Sequence, residues 1–478
     1  MNQPETASVI SSSAEVSSAE YFAQRQLKQG TVGWLLLIGL GVAYVISGDF
    51  AGWNFGIAQG GWGGMFIATA LAALMYLCLC LSMSEMSTMM PTAGGGYSFA
   101  RAAFGPFGGY LTGTAILIEY AIAPAAIAVF IGGYCESLFG INGWMIYLAC
   151  YAIFMGIHLK GAGEALKIMF AITLVAAVAL VVFIGAMIPH FNAQNLFDIP
   201  VSTGVGASLF LPHGYLGIWA AVPFAIWFFL AVEGVPLAAE EAKDPAKSLP
   251  RGLIGAMLIL TAFAMLILFL GAGAAGASTL QSSGAPLVDA LVKVYGTNTW
   301  LATFVNFVGL AGLIASFFSI IYAYSRQIFA LSRAGYLPTS LSLTNKNKAP
   351  YLAIIIPGII GFLLSLTKEG DSLILIAVFG ATISYVLILL SHIKLRLSKP
   401  DMPRPYKTPG GIITSSIALV LAVAAVVAGF VVNPKVWFIA AAIYVVFIAY
   451  FLFYSRYHLV KGTPEEEFAN IKAAEQEL

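Results

Sequence analysis

Three acidic residues stand where acids are expensive. Asp49, Glu119 and Glu233 each lie inside a stretch of chain apolar enough to cross a bilayer, where a carboxylate costs on the order of 3 kcal/mol on insertion scales. No lysine or arginine falls in the same central layer to neutralise them. Carboxylates placed this way fit a site that receives a cation, takes up a proton in turn, or does both. Phe50, Trp53, Tyr120, Phe228 and Phe229 stand beside them in sequence. Such rings offer faces to an ammonium group, although packing is the commoner role for any one of them.

The segments that carry these acids are interrupted. Val45–Gly56 reads V-I-S-G-D-F-A-G-W-N-F-G, with Ser47, Gly48, Asp49, Gly52 and Asn54 inside an apolar run. Glycine permits non-helical backbone and costs a helix about 1 kcal/mol relative to alanine. The pattern predicts a helix that unwinds midway, its freed backbone groups and Asp49 facing a cavity. A tight helix-packing face with Asp49 paired to a neighbour is the alternative. A second interruption falls around Ala231–Pro236, where Glu233, Gly234 and Pro236 break another run; a simple kink is the alternative there. Glu119, in I-L-I-E-Y, sits about eleven residues into its run and so near mid-bilayer.

The whole composition supports a membrane setting. Of the 478 residues, 60% are hydrophobic and 9% charged, and the mean hydropathy is +0.89. That is a polytopic membrane protein. Runs long enough to span fall near 35–58, 62–83, 108–134, 143–158, 164–187, 215–239, 251–275, 298–325, 351–367, 371–392, 411–432 and 435–457. None alternates as a barrel strand does. With about twelve transmembrane helices and the N-terminus inside, only Lys293, Lys368 and Lys435 of the 23 lysines and arginines fall outside. That asymmetry predicts cytoplasmic termini in a plasma (cytoplasmic) membrane.

The rest of the composition narrows the classes further. Residues 1–30 are polar, lack the order of a signal peptide and read as a disordered cytoplasmic lead-in; 458–478 read as a cytoplasmic tail. A net charge of +1 gives no reason to invoke nucleic acid. Cys78, Cys80, Cys135 and Cys150 have neither redox nor metal spacing, and only Cys135 lies near an outer end where an oxidant could reach it. The five histidines are scattered near span ends, so neither a metal site nor a cofactor is expected.

Four ordered stretches carry a family resemblance. Ser82–Gly105 contains E-x-S-x-x-x-P-x-A-G-G-x-Y-x-x-x-R, in which Pro91 stops a helix and Gly94–Gly96 permit a sharp turn between spans 2 and 3. Phe228–Pro250 reads F-F-L-A-V-E-G-V-P-L-A-A-E-E-A-K-D-P-A-K-S-L-P, Tyr324–Pro338 reads Y-S-R-Q-I-F-A-L-S-R-A-G-Y-L-P, and Arg404–Gly410 reads R-P-Y-K-T-P-G. Together they resemble the amino acid–polyamine–organocation superfamily of secondary transporters, over nearly all of the chain from about Gly30 to Arg456. The resemblance implies an all-α integral membrane fold, leucine-transporter-like, of two inverted five-helix repeats with broken helices 1 and 6. The repeats would occupy 31–190 and 215–394, with two peripheral helices in 411–457.

In amino acid transporters of that superfamily the break in span 1 carries small residues whose bare amides hold the substrate carboxylate. The matching positions here are Gly52, Trp53 and Asn54, where an indole and an amide side chain fill that space. The stretches S-G-D-F-A-G-W-N-F-G, I-E-Y-A-I-A-P-A and F-F-L-A-V-E-G-V-P-L-A-A-E-E resemble the ethanolamine permease branch. That implies import of a small protonated amine by alternating access. The alternative is a permease or exchanger for another amine or a neutral or γ-amino acid. The expected binding set is Asp49, Phe50, Gly52, Trp53, Asn54, Glu119, Tyr120, Phe228, Ala231, Glu233 and Gly234. The coupling candidates are Asp49, Glu119 and Glu233 for a proton, with Ser316 and Ser319 for sodium. The lysine that some relatives carry in span 5 is replaced by Ala176. Glu240 and Glu241, close to Lys243, Asp244 and Lys247, form either a latch with Arg101, Arg326 or Arg333, or a solvated loop. An enzyme or a receptor is disfavoured: the midplane holds no nucleophile–base set, and the flanking tails offer no output domain.

Overall fold

The structure is a computed structural model that describes residues 30, 32–297 and 299–460. The polar lead-in and most of the acidic tail lie outside the described residues. Among those described, every regular element is helical, and β-pairing is confined to two isolated bridges, Val32 with Ala242 and Thr344 with Pro350.

Span 1 comes in pieces. It runs as Trp34–Val45 and Ser47–Phe50 and then leaves the helix. Ala51 is extended (φ −157°, ψ 157°) and Gly52 takes φ +96°, a conformation that a side chain would strain. Helix resumes at Asn54 and swivels at Gly61 (φ 67°) into span 2, which ends at Met89. A short arm over 96–104 follows, closed by a second swivel at Gly105 (φ 77°); span 3 then runs to Phe139. The turn expected at Gly94–Gly96 is therefore a turn followed by a helical arm. No apolar periodicity marks so short a piece.

Span 4 is Trp144–Leu159 and span 5 Ala162–Met187. Span 6 is helical over Gly214–Trp227, turns through 228–231 with Ala231 left-handed (φ 77°), and continues as a 3₁₀ segment, Val232–Glu241. The break thus opens a few residues before the Gly-Val-Pro that announces it. Span 7 starts at Pro245 and runs to Ala275, with one π turn at Ile267–Gly271. The remaining spans are Trp300–Arg333, Tyr351–Ser365, Gly370–Ser398, Ile412–Val432 and Pro434–Phe453.

Packing shows two five-span halves and two outer helices. Span 1 lies on span 7 as span 6 lies on span 2, and span 3 lies on span 10 as span 8 lies on span 5. These are the exchanged pairs that two related halves require. In its most apolar stretch span 3 is 89% buried, whereas span 12 is 17% buried. Span 3 is apolar all round because it has neighbours all round, and span 12 because lipid surrounds it. The protein is a multi-pass membrane protein with broken spans 1 and 6.

Candidate functional site

The two breaks meet. Trp227, at the end of the first piece of span 6, donates its indole N–H to the Ala51 carbonyl at 3.0 Å. Gly48 passes so close that a Cβ there would lie 2.6 Å from the Trp227 carbonyl oxygen. Trp53 stacks on Phe228 across the junction, centroids 5.7 Å apart. The break in span 1 is also fastened outward: Asn54 donates to the carbonyls of Leu280 (3.0 Å) and Ser283 (2.8 Å). Its own carbonyl oxygen accepts from the Gly52 amide at 3.3 Å.

Beside this junction the structure brings Glu119, Tyr120, Ala231, Glu233 and Gly234 together. Glu233 opens the 3₁₀ segment of span 6, and the Tyr120 hydroxyl donates to its Oε1 at 3.2 Å. Glu119, fully buried on span 3, approaches the Glu233 carboxyl and the Ala231 amide, yet neither of its oxygens finds a well-aligned donor. The second oxygen of Glu233 is also without a partner. The Arg326 guanidinium, which acts on Tyr44 beside the pair, is taken by Glu241 at 2.9 Å. The result is a buried carboxyl pair facing no fixed cation among the described residues.

Sequence reasoning missed the ring around the pair. Tyr76 of span 2 and Tyr385 of span 10 share a hydrogen bond of 2.8 Å, and both carboxyls act electrostatically on each of them. Tyr44 of span 1 leans over Gly234, its hydroxyl unpartnered. A tyrosine inside an apolar span was the available signal. Nothing in the chain says that three of them converge.

Asp49 stands apart. It is fully buried, and neither oxygen has a hydrogen-bond partner among the described residues. Phe50 turns the other way, against Gly309 and Gly312 of span 8, while its carbonyl accepts from Tyr134 at 2.9 Å. The serines of span 8 are occupied. Ser316 donates to the Tyr44 carbonyl and meets Ser47, both at 2.8 Å, and Ser319 donates to Ser316's carbonyl at 2.9 Å. Ala176 lies beside Gly312 at this same contact. Cys135, expected near an oxidant, is buried with the other three free cysteines.

At the end of the bundle below the site the acids are paired. Glu240 accepts from Arg333 (2.7 Å) and from the Ala93 amide (2.9 Å). Glu241 takes Arg326 and the Tyr322 hydroxyl. Glu241 is buried and Glu240 nearly so, each paired with a span-8 arginine, whereas Asp244 and Lys247 of the same cluster stay in solvent. Glu85 on span 2 gathers Arg396 (2.5 Å), Arg404 (3.0 Å), the Thr408 amide (2.7 Å) and His392 (3.3 Å).

Comparison with known proteins agrees with this architecture. A family model described as amino acid permease matches residues 3–453. The chain is similar to the branched-chain amino acid permease of Bacillus subtilis, 27% identical over 80% of this chain and 84% of that one. It is 25% identical to an aromatic amino acid transport protein of Escherichia coli, over 79% and 84%. An uncharacterized transporter of Rhizobium meliloti is 27% identical over 80% and 83%. With a match along almost its whole length, a broken-helix pair at its centre and no enzyme among these relatives, the chain belongs to the amino acid permease family of membrane transporters.

Proposed function

We propose that this permease imports a small protonated amine without a carboxylate, ethanolamine foremost, by alternating access coupled to protons. The observation that carries this reading is the Glu119–Glu233 pair, buried at the meeting of two broken spans with no guanidinium or ammonium of its own. Two carboxyl groups sharing a dry pocket cannot both stay ionised alone, so an ammonium or a proton completes them. The Gly52 amide, a donor of the kind that would grip a substrate carboxylate, is already held by Asn54.

If proton and amine competed only for the glutamate pair, one would leave as the other arrived, and the cycle would be exchange. Symport needs a second proton station, and Asp49, isolated and buried, is suited to that role. The Ser316 and Ser319 hydroxyls donate to carbonyls of the chain, which leaves oxygen lone pairs that a sodium ion could use; the proton is preferred because the three buried carboxyls can each take one up. The excess of lysine and arginine at the latch end orients that end, and both termini, to the cytoplasm.

The test is uptake of labelled ethanolamine into proteoliposomes, with putrescine, choline, alanine and GABA as competitors, with and without a pH gradient. Saturable uptake resistant to alanine and stimulated by an acidic exterior is expected. A second reading, an amino acid substrate, is favoured by relatives that carry branched-chain and aromatic amino acids. It requires the Gly52 amide to be released, so Asn54→Gly should then raise amino acid uptake. Alanine outcompeting ethanolamine in the unaltered protein would replace the first reading with the second.

A further inference from the structure

A cleft of about 560 Å³ opens at the latch end, between the start of span 1, the start of span 7 and the loop joining spans 10 and 11. It is separate from the central site. Its walls include Trp34, Lys247, Arg251, Leu258 and Tyr406, and no acidic side chain lines it among the described residues. Lys247 has Asp244 at 3.3 Å, but both side chains are mostly in solvent, where such a pair holds weakly. The loop side is fixed, because Arg404 is clamped on Glu85 and the Tyr406 amide rests on Thr88 at 3.4 Å.

Lys247, Arg251 and Leu258 follow one another along one face of span 7, at i, i+4 and i+11. From the first to the last is about 16 Å of helix. The face thus begins with two cations and descends into an apolar wall where Leu258 is 56% exposed. Trp34, 47% exposed, stands at the rim with Tyr406, and rings of these two types favour a membrane–water boundary. A free phosphate would use the cations and leave the wall bare. A ligand with an anionic head and a long apolar body uses both.

We infer that this cleft binds an anionic phospholipid of the surrounding leaflet, its phosphate on Lys247 and Arg251 and an acyl chain along Ile254 and Leu258. The lipid would bridge spans 1 and 7 to the 10–11 loop, and so fasten elements that alternating access must move relative to one another. The inference does not depend on which substrate the central site takes.

The test uses the full chain in mild detergent, probed with phosphatidylglycerol and with phosphatidylcholine of the same acyl chains, read by native mass spectrometry. The unaltered protein should retain phosphatidylglycerol in preference. The K247A/R251A double variant, whose side chains lie at the surface, should lose that retention roughly ten-fold. Quenching of Trp34 fluorescence by brominated phosphatidylglycerol, taken as the difference from Trp34→Phe, gives a second reading that needs no charge change. Equal retention of the two lipids, or of phosphatidylglycerol by protein and double variant, overturns the inference. So does displacement of the lipid by millimolar inorganic phosphate, which would assign the cleft to a free anion.

Discussion

Two sets of buried glutamates sit in one bundle and meet opposite fates. At the latch end, Glu85, Glu240 and Glu241 are each closed by arginine, at 2.5–3.0 Å. At the centre, Glu119 and Glu233 are buried as deeply and face each other with no such partner. Removing a carboxylate from water costs several kcal/mol, repaid only by a close counter-charge and further hydrogen bonds. The latch-end acids carry their repayment within the chain. In the function proposed above, the central pair leaves it to something that arrives from outside. On that reading, what separates structural acids from working ones is a resident cation, not burial.

The sharpest way to break this comparison is to unbalance the paired set. Glu85→Ala strands Arg396, Arg404 and His392 around an empty position, and should cost about 3–5 kcal/mol of stability. A large fall in thermal unfolding temperature in detergent is the expected readout; an unchanged melt would mean that the cluster is not a structural clasp. Glu119→Gln unbalances nothing, since no cation depends on it. It should leave the melt alone and cut amine uptake about 100-fold, the scale of one lost charge contact in a dry site. Uptake at the unaltered level would remove Glu119 from the site.

The junction between the breaks comes next in size. A methyl at Gly48 would meet the Trp227 carbonyl, backbone that cannot yield without separating the two broken spans. Gly48→Ala should therefore cost about 1–3 kcal/mol and reduce uptake by about ten-fold. The neighbouring Gly56→Ala meets chiefly the flexible end of Met65, at 2.3 Å, and should do less. Equal effects from the two would mean that the Gly48 contact is not special to the site.

What the chain reveals in advance follows from the range of each cause. The breaks in spans 1 and 6 were legible because Gly52, Gly234, Pro236 and the acids act on their own backbone. The swivels at Gly61 and Gly105 were not, because the chain marks only a gap beside an apolar run there, and nothing local says that helix continues on both sides of it. Glu119 announced itself as a charge at membrane depth. Its companions Tyr76 and Tyr385 did not, since 309 residues separate them and only the fold brings their hydroxyls together. The choice of Arg396 and Arg404 for Glu85 is hidden in the same way: the motif around each is local, and the pairing is not.

The smallest expected effect bears on the ion that drives the cycle. Ser316 ties span 8 to the Tyr44 carbonyl and Ser47, and Ser319 closes on its own helix. A sodium ion between spans 1 and 8 would be held by the lone pairs of these hydroxyl oxygens and would compete with the Ser47–Ser316 contact. Ser316→Ala removes two buried hydrogen bonds, to the Tyr44 carbonyl and to Ser47, and should cost about 2 kcal/mol, with uptake changed by no more than a few-fold and its sodium response unaltered. Replacing sodium by N-methylglucamine in the uptake assay should leave the unaltered protein unaffected as well. If uptake needs sodium and Ser316→Ala abolishes that need, the hydroxyl is an ion ligand. The central carboxyl pair would then share the coupling with a cation held at span 8, and the contrast between paired and unpaired acids would no longer be enough to locate the driving site.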